Sequence, residues 1–481
     1  MTTEQKIIRA LASDGAALVT TSAILATRVG RAVRPCLALK ASIAAIILLL
    51  PTAVSAADVQ AVATNDFLNS IGVVSTFPDR GQPLARTVEM IRYCGFRWVR
   101  AGIEGLSDTG PTTIQTFLDL HRQTGAKVSW GLVSGGTDIP KLIATAKRLA
   151  EAGALLAIEG NNEPNNWAIT YQGENGGGGG SWMAVAKLQR DLYRAVKSDP
   201  ALAKYPVWTI SEPGAQQDNV GLQFLAVPPG AGTLMPDGTQ YADYANVHNY
   251  IYHPHSPRPT DNKVWNAADP SHLSKVDGLY GNFGVTWAKG FRGYSQEQLD
   301  VLPRVTTETG TNIGGEVTEE VQALNLTNLY LAQFKRGYAY TSVYLLRDRT
   351  DEDGNQTFGF FRPDYTPRKA AHYLSNLTRI LADQASSSSP DRLAYTIPDQ
   401  PDTVHDLLLQ RSDGLFQLII WGERLSGEDV VAVHFDAAHA AVEIYDPTVG
   451  IERLESLTDV RVLKVALSNH PLIITIRSEG L

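Results

Sequence analysis

Positive charge is scarce in this sequence. There are 42 lysines and arginines against 50 aspartates and glutamates, which gives a formal net charge of −8. Nucleic acids and anionic membranes bind basic surfaces, so this balance argues against both as partners. With 43% apolar and 19% charged residues, the composition is otherwise that of an ordinary globular protein able to bury a large core.

Cysteine is almost absent, since the chain contains only Cys36 and Cys94. Cys36 lies within the signal peptide predicted below, so the mature chain would hold a single thiol and could form no internal disulfide. An exported protein of this kind depends on its hydrophobic core for stability. Cys94, close to Phe96, is predicted to be simply buried.

The N-terminal apolar run, residues 41–50, is well short of the ~20 residues that a membrane-spanning helix needs. Basic residues precede it, Pro51 ends it, and Val54-Ser55-Ala56 offers small residues for cleavage. This layout predicts a signal peptide over residues 1–56, and hence a secreted or periplasmic protein without a stable membrane span. An uncleaved anchor is the alternative.

The sequence also lacks a clear metal-binding motif. Asp348, Asp351, Asp353 and Asn355 loosely resemble a calcium loop, but their spacing does not match the EF-hand signature. Asp353-Gly354 is more typical of a hairpin turn. We expect neither a metal nor another cofactor.

Strand-like runs alternate with helical patterns over residues 57–383. Asp138 stands where a helix cap is expected, and Thr318 is predicted to start a helix with an apolar face. Eight such strand–helix units predict an α/β fold, a (β/α)8 TIM barrel. A long insertion, residues 252–294, follows the sixth predicted strand and is rich in Pro, Asn, Asp, Gly and Trp.

The pattern changes after a serine-rich linker, residues 384–391. Short apolar strands separated by turn signals follow, among them residues 406–410, 416–421 and 472–476. These features predict a small antiparallel β-sandwich over residues 392–481.

Polar and aromatic residues stand at the predicted strand ends, where TIM barrels gather their active sites. They are Arg100, Trp130, Asn162, Glu163, Glu212, His248, Tyr250, Glu308 and Tyr344. Glu163 and Glu308 are the two carboxylates that cleavage of a glycosidic bond requires: one donates a proton to the leaving oxygen, and the other attacks or supports the sugar cation.

The pattern resembles the clan A glycoside hydrolases, a superfamily of retaining (β/α)8 enzymes with an Asn-Glu pair ending strand four and a Glu ending strand seven. Asn162-Glu163-Pro164 and Thr307-Glu308-Thr309 lie on those strands here. The resemblance implies that Glu163 is the acid/base, that Glu308 is the nucleophile, and that Asn162 binds the sugar 2-hydroxyl. Since a proton donor must start protonated, we expect the surroundings of Glu163 to raise its pKa.

The cellulase-like family of this clan also carries an Arg on strand two and a His-X-Tyr on strand six. Arg100 and His248-Asn249-Tyr250 match them. The match implies that Tyr250 hydrogen-bonds the nucleophile and that Arg100 keeps it ionised. Two positions depart from the pattern, namely Tyr344 where many members have Trp and Trp130 where His is frequent. The predicted substrate-binding residues are Arg100, Trp130, Asn162, His248, Tyr250 and Tyr344.

Several of these residues have ordinary structural alternatives. Arg100 could pair with an acid such as Glu104, and His248 could be a satisfied core histidine. Trp130 and Trp167 could stack on sugars or pack in the core, whereas Trp182 is predicted to be core. Trp265 and Trp287 in the insertion are further platform candidates.

The leading functional prediction is a secreted retaining β-glycosidase that cleaves a polysaccharide or oligosaccharide at internal bonds. The protein is predicted to be a monomer. A transglycosylase shares the same catalytic residues and stays open. A non-catalytic carbohydrate-binding or polysaccharide-assembly protein is the third alternative, although the presence of both glutamates argues against it.

Overall fold

A computed structural model describes residues 57–75, 77, 81–211, 218–251, 290–315, 317–351, 356–383, 385, 389–424 and 427–477. The predicted signal peptide, Glu212, Trp265, Trp287 and most of the 252–294 insertion lie outside these residues. None of the helices within the described ranges is long and apolar enough to cross a membrane.

Twenty strands and eight helices occur in the described part of the chain, numbered here in chain order. The strands are β1 Ala57–Gln60, β2 Val62–Ala63, β3 Ile71–Val74, β4 Trp98–Ala101, β5 Lys127–Trp130, β6 Leu155–Glu159, β7 Ile169–Tyr171, β8 Glu174–Gly176, β9 Val207–Trp208, β10 Ala245–His248, β11 Arg304–Thr309, β12 Tyr338–Val343, β13 Arg392–Thr396, β14 Val404–Gln410, β15 Phe416–Gly422, β16 Asp429–His439, β17 Val442–Tyr445, β18 Glu455–Leu457, β19 Val460–Leu467 and β20 Pro471–Ile476. The helices are α1 Thr64–Ser70, α2 Leu84–Cys94, α3 Ile114–Thr124, α4 Ile139–Glu151, α5 Met183–Ser198, α6 Gln296–Val301, α7 Glu319–Lys335 and α8 Lys369–Ile380.

The long helices begin where their local sequence predicts. The Asp138 side chain accepts a hydrogen bond from the Lys141 backbone N–H at the start of α4, and Thr318 accepts one from Val321 at the start of α7. Each bond satisfies a backbone donor that the first helical turn leaves free. The predicted Asp138 cap is therefore confirmed, and Thr318, predicted to start its helix, caps a helix that begins at Glu319.

Eight parallel strands form the predicted barrel. Their order around the sheet is β10-β11-β12-β3-β4-β5-β6-β9. An isolated parallel bridge between Trp208 and Tyr244 brings the two ends of this sheet together. The strands thus follow chain order around a barrel, so their carboxyl ends all lie on one face. The fifth unit differs from the others, because the described residues 218–244 between β9 and β10 form turns and an isolated bridge.

The C-terminal strands form two further sheets, which confirms the predicted sandwich architecture. One sheet has the order β1-β13-β16-β19 and the other β18-β17-β20-β15-β14-β2. The first two strands of the described chain belong here: Ala57 pairs with Tyr395 in an antiparallel ladder, and Val62 pairs with Leu409 in parallel. The predicted barrel domain began at residue 57, whereas these N-terminal strands complete the C-terminal sheets.

The six-stranded sheet is buried on both faces. Successive side chains of a strand point to opposite faces. Leu407 and Leu409 accordingly join the core that contains the barrel helices, whereas Leu408 joins the core between the two C-terminal sheets. This double burial explains why Leu407, Leu408 and Leu409 form an uninterrupted apolar run.

A buried ion pair joins the C-terminal sheets to the barrel. Glu423, fully buried after β15, accepts hydrogen bonds from Trp421 Nε1 at 2.8 Å and from Arg336 Nη2 at 3.4 Å, and its Oε2 lies 3.1 Å from His405 Nε2. Arg336 follows α7, so this contact links the end of β15 to a barrel helix. Burial alone would raise the pKa of Glu423, but Arg336 and His405 outweigh it and lower the pKa.

We expect Glu423→Gln to reduce the free energy of unfolding at neutral pH by about 1–3 kcal/mol, since it weakens a buried charge-assisted contact. A carboxylate whose pKa is lowered on folding stabilises the protein above its unfolded pKa of about 4.3, and this contribution is lost as the pH falls. The variant should therefore lose less stability than wild type on acidification. Urea unfolding at several pH values checks this, with Glu174→Gln as control, since Glu174 is 51% exposed in a surface pair with Lys187. Parallel stability–pH curves for wild type and Glu423→Gln would contradict the expectation.

Candidate active site

Four of the predicted residues meet around Glu308 at the carboxyl face of the barrel. The Glu308 carboxylate, at the end of β11, accepts a hydrogen bond from Arg100 Nη1 at 2.7 Å and another from the Tyr250 hydroxyl at 2.9 Å. His248 Nδ1 lies 3.4 Å from its second oxygen. Asn162 enters the same cluster through Arg100 Nη2, which donates to its Oδ1 at 2.9 Å. Glu308 is thus held in one orientation while 12% of its side chain stays exposed.

Arg100 is fully buried and is shared between two carboxylates. Besides Glu308, it contacts Glu159, the last residue of β6, to which its Nη2 donates at 2.6 Å and its Nε at 2.9 Å. The neighbouring carboxylates outweigh burial and raise the pKa of the Arg100 guanidinium. Glu104, the alternative partner, is exposed and accepts instead from the Ser134 backbone N–H.

Glu159 is a site residue that the sequence reasoning missed. Its side chain is completely buried and also accepts hydrogen bonds from Thr307 at 2.9 Å and from Asn246 at 3.4 Å. The available signal was an acid at the last position of an apolar strand, since such an acid needs a buried cation as partner. Arg100, on a strand two places away in the sheet, is that cation.

Glu163 lies in the loop just after β6, with its backbone in the left-handed region at φ +37°. Non-glycine residues seldom adopt this conformation, which costs energy and is concentrated at functional sites. The Glu163 N–H donates to Ser211 Oγ at 2.8 Å, and its carbonyl accepts from the N–H of Trp167 at 2.8 Å. These bonds hold the strained backbone in place.

The Glu163 carboxylate contacts His248 and Asn166. Its Oε1 lies 2.6 Å from His248 Nδ1, and its Oε2 accepts from Asn166 Nδ2 at 2.9 Å. Burial would raise the pKa of Glu163, but these partners together with Arg100 lower it to about 2. The prediction of a raised pKa is therefore wrong, because a basic imidazole contacts the carboxyl directly.

His248 is the basic partner of Glu163. Burial lowers the pKa of the His248 imidazole, but the negative charges of Glu308 and Glu163 outweigh burial and raise it. Glu163 and His248 are thus close enough to share one proton, and the opposite shifts of their pKa values favour a carboxylate beside an imidazolium.

Oxygen atoms of Glu163 and Glu308 and a nitrogen of His248 all lie within 4.8 Å of one another. In retaining glycosidases the two carboxyl groups are about 5–5.5 Å apart, whereas inverting enzymes hold them about 6.5–9.5 Å apart. The approach of one oxygen from each carboxyl to within 4.8 Å is on the side of the shorter spacing. These three side chains could also offer ligand atoms to a cation; that no metal is required stays a prediction.

Trp130 was predicted to bind substrate, and this prediction is wrong. Its indole is completely buried, donates from Nε1 to Thr145 Oγ1 on α4 at 2.9 Å, and packs edge-on against Phe117 of α3 with ring centroids 5.1 Å apart. The strand register therefore turns this side chain outward, into the layer between the barrel and its helices. Trp182 is also buried in a core cluster, as predicted.

Tyr344 lies beside Tyr250, as expected for the end of the eighth barrel strand. Their ring centroids are 6.4 Å apart, and Phe358 packs edge-on against Tyr344 at 5.5 Å. Its hydroxyl donates to Gln356 at 2.6 Å. Tyr344 is half-buried, and a role in substrate binding stays a prediction.

Trp167 is a large aromatic side chain close to this site that remains open to solvent. It is 54% exposed and follows Glu163 by one turn of the loop, as the hydrogen bond between their backbones shows. Among the tryptophans weighed as sugar platforms, it alone within the described residues combines exposure with closeness to a catalytic candidate.

Comparisons with known proteins place this site on a recognised fold. No protein-family model matches the sequence, and no curated protein matches it. Among solved structures, a family 39 glycoside hydrolase from the gut symbiont Bacteroides cellulosilyticus has a TM-score of 0.55 at 16% identity, covering 86% of this chain and 82% of that one. A GH51 arabinofuranosidase from Xanthomonas axonopodis pv. citri has a TM-score of 0.52 at 13% identity, covering 88% and 98%.

A bifunctional glucanase-xylanase from a metagenome library is similar to the same extent, with a TM-score of 0.51 at 14% identity and coverage of 88% and 98%. The predicted resemblance to clan A glycoside hydrolases is thereby confirmed at the level of the fold: the chain has the barrel-plus-sandwich fold of these glycosidase structures.

Proposed function

We propose that this protein is a retaining glycoside hydrolase in which Glu308 is the nucleophile and Glu163 the acid/base. The observation that carries the proposal is the approach of the Glu163 and Glu308 oxygens to within 4.8 Å of each other at the carboxyl face of the barrel. Two carboxyl groups at this spacing suit a double displacement on one sugar ring.

In the first step Glu308 attacks the anomeric carbon and forms a glycosyl-enzyme, while the leaving oxygen takes a proton from Glu163. The hydrogen bonds from Arg100 and Tyr250 point the Glu308 carboxylate at the sugar. Asn162, whose Oδ1 is occupied by Arg100, keeps its amide N–H groups as donors for a sugar hydroxyl. In the second step Glu163 removes a proton from water, which then hydrolyses the glycosyl-enzyme.

The acid role requires the shared proton to move from His248 to Glu163. A sugar that enters the cleft displaces water and lowers the local polarity, which favours a neutral carboxylic acid and neutral imidazole over an ion pair. His248 Nδ1, 2.6 Å from Glu163 Oε1, is close enough for this transfer. Glu163 therefore becomes a neutral carboxylic acid, able to donate a proton, when substrate binds.

The test is a screen of the purified protein against β-linked glucans, mannans, xylans and bacterial exopolysaccharides. NMR of the first product formed should show the anomeric configuration of the substrate retained, because two displacements each invert it. An inverted first product would contradict the double displacement. Products longer than the substrate would identify the transglycosylase alternative, and binding without any product the non-catalytic one.

Secretion and endo action belong to this proposal. Secretion rests on the signal-peptide layout of residues 1–56 and on the expectation that a polymer is too large to enter a cell. Endo action is proposed for the same polymer. A spread of intermediate product lengths early in the reaction would support endo action, whereas release of a single sugar unit would support exo action.

We expect Trp167 to stack on the sugar that leaves, since it lies on the loop that carries the proton donor. Trp167→Ala should raise KM for an oligosaccharide by about 10-fold or more, the scale of losing ~1.5 kcal/mol of aromatic contact. The same variant should bind an aryl glycoside, which has no sugar on the leaving side, nearly as well as wild type. Tyr93→Ala, which removes another exposed aromatic ring, is the control; an equal effect of Trp167→Ala on both substrates would contradict the assignment.

A further inference from the structure

The His248 imidazole is held from both sides. Nδ1 faces Glu163 Oε1 at 2.6 Å, and Nε2 lies 3.1 Å from Thr307 Oγ1. Thr307 in turn contacts Glu159. The proposed mechanism gives no task to Thr307 or to Glu159, although both are completely buried beside the reacting groups.

The direction of the Thr307 hydroxyl follows from its neighbours. Thr307 Oγ1 lies 2.9 Å from Glu159 Oε1, and two oxygens this close need a hydrogen between them, because facing lone pairs repel. Glu159 is the acceptor, since both of its oxygens already face the Arg100 guanidinium. Asn246 contacts the same hydroxyl through its amide: Nδ2 donates to Thr307 Oγ1 at 2.9 Å, and Oδ1, solely an acceptor, lies 3.1 Å away. With either acceptor, the single hydroxyl hydrogen points away from His248.

Thr307 Oγ1 therefore presents a lone pair to His248, and Nε2 must carry a hydrogen to make their 3.1 Å contact favourable. In the neutral imidazole the other nitrogen, Nδ1, then carries no hydrogen and presents its lone pair to Glu163. We propose that Glu159 and Thr307 are positioning residues that fix the Nε2–H tautomer of His248, so that Nδ1 takes up and returns the catalytic proton of Glu163.

The charges around the imidazole agree with this assignment. Glu163 and Glu308 face Nδ1 from two different strand ends, and Arg100, the cation of the cluster, is bonded to Glu308 and Glu159. A proton on Nδ1 thus lies between two carboxylates, whereas Nε2–H faces a neutral hydroxyl. Their balance raises the pKa of His248, which favours a proton on Nδ1 between the two carboxylates.

The tautomer itself can be observed by ¹⁵N NMR of protein labelled at its 10 histidines. The signals that vanish in His248→Asn belong to His248. On titration to high pH we expect Nε2 to keep its hydrogen and Nδ1 to lose it in wild type and in Thr307→Ser. Thr307→Val, which keeps the shape but lacks the hydroxyl, should populate the other tautomer.

Thr341→Val is the matched control, because Thr341 is a buried barrel threonine whose hydroxyl bonds Gln333 instead, at 2.8 Å. It should leave the His248 signals unchanged. A neutral His248 with its hydrogen on Nδ1 in wild type, or the same tautomer in Thr307→Val as in wild type, would overturn the proposal.

Kinetics test the role of the tautomer, which rests on the proposed glycosidase reaction. Thr307→Val should lower kcat for an unactivated glycoside by about 10- to 100-fold with KM nearly unchanged; for comparison, a wrong histidine tautomer in a serine protease costs about 10⁴-fold. The alkaline limb of kcat/KM should move to lower pH by about one pH unit, because Nε2–H loses its acceptor and the imidazolium is destabilised. Thr307→Ser, which keeps the hydroxyl, should restore most of kcat and most of the wild-type position of the alkaline limb.

A loss of activity without any shift of the alkaline limb would mark Thr307 as merely structural. The two proposals fail separately. If wild type cleaves no glycoside, the proposed function fails, but the tautomer of His248 can still be measured by NMR. If cleavage occurs and His248 has the other tautomer, only the tautomer proposal fails.

Discussion

Replacing Glu308 with Gln is expected to lower kcat by at least about 10⁴-fold, the scale at which enzymes lose a catalytic nucleophile. The amide has nearly the same shape but cannot attack the anomeric carbon. It also leaves Arg100 with one carboxylate partner instead of two. Initial rates on the substrate found in the screen measure the effect.

The matched control is Glu174→Gln, the same change at an exposed surface pair. Thermal unfolding should show that both variants are folded.

A second experiment uses Glu308→Ala with added azide, which can enter the space left by the carboxylate and attack the sugar directly. One displacement then gives a glycosyl azide of inverted configuration. Wild-type activity in Glu308→Gln would refute the assignment of the nucleophile.

Replacing Glu163 with Gln is expected to lower kcat/KM by about 10²–10⁴-fold on glycosides with a poor leaving group, the usual contribution of a general acid. A 2,4-dinitrophenyl glycoside needs no protonation of its leaving oxygen, so its first step should be almost unaffected. The second step still lacks its base, so the glycosyl-enzyme should accumulate and the phenol should appear in a burst. The comparison of the two leaving groups is the measurement.

Asn166→Ala is the informative comparison for this prediction. Asn166 donates a hydrogen bond to Glu163, but its amide cannot act as a general acid. It should raise the pKa of Glu163 by removing one donor, with a much smaller loss of rate. Azide added to Glu163→Ala should give a product of retained configuration, because it replaces water in the second displacement. An equal loss on both leaving groups would show that Glu163 does not donate the proton.

The barrel and both catalytic candidates could be predicted because their signals are local. Asp138 caps α4 through a bond to a residue three positions away, and apolar runs such as Leu155–Glu159 become buried strands. Once eight strands alternate with helices, the rule that carboxyl ends share a face brings Glu163 and Glu308 together. Every step depends on neighbours in sequence or on a general property of parallel barrels.

Trp130 and the first two strands could not be predicted for the opposite reason. Whether the last residue of a strand points into the barrel or toward the helices depends on its register against neighbouring strands, and here Trp130 contacts Thr145. Ala57 pairs with Tyr395, more than 300 positions along the chain. A strand of four residues carries no local sign of so distant a partner.

By itself, the sequence determined the type of fold, the strand after or on which each catalytic candidate lies, and the two carboxylates of the proposed chemistry. Tertiary structure decided the surroundings of those carboxylates: it set Glu163 against His248, buried Glu159 on Arg100, and put Thr307 between them. The physical reason is that protonation depends on burial and on charges a few ångströms away. Those distances exist only after strands far apart in the chain close into one barrel.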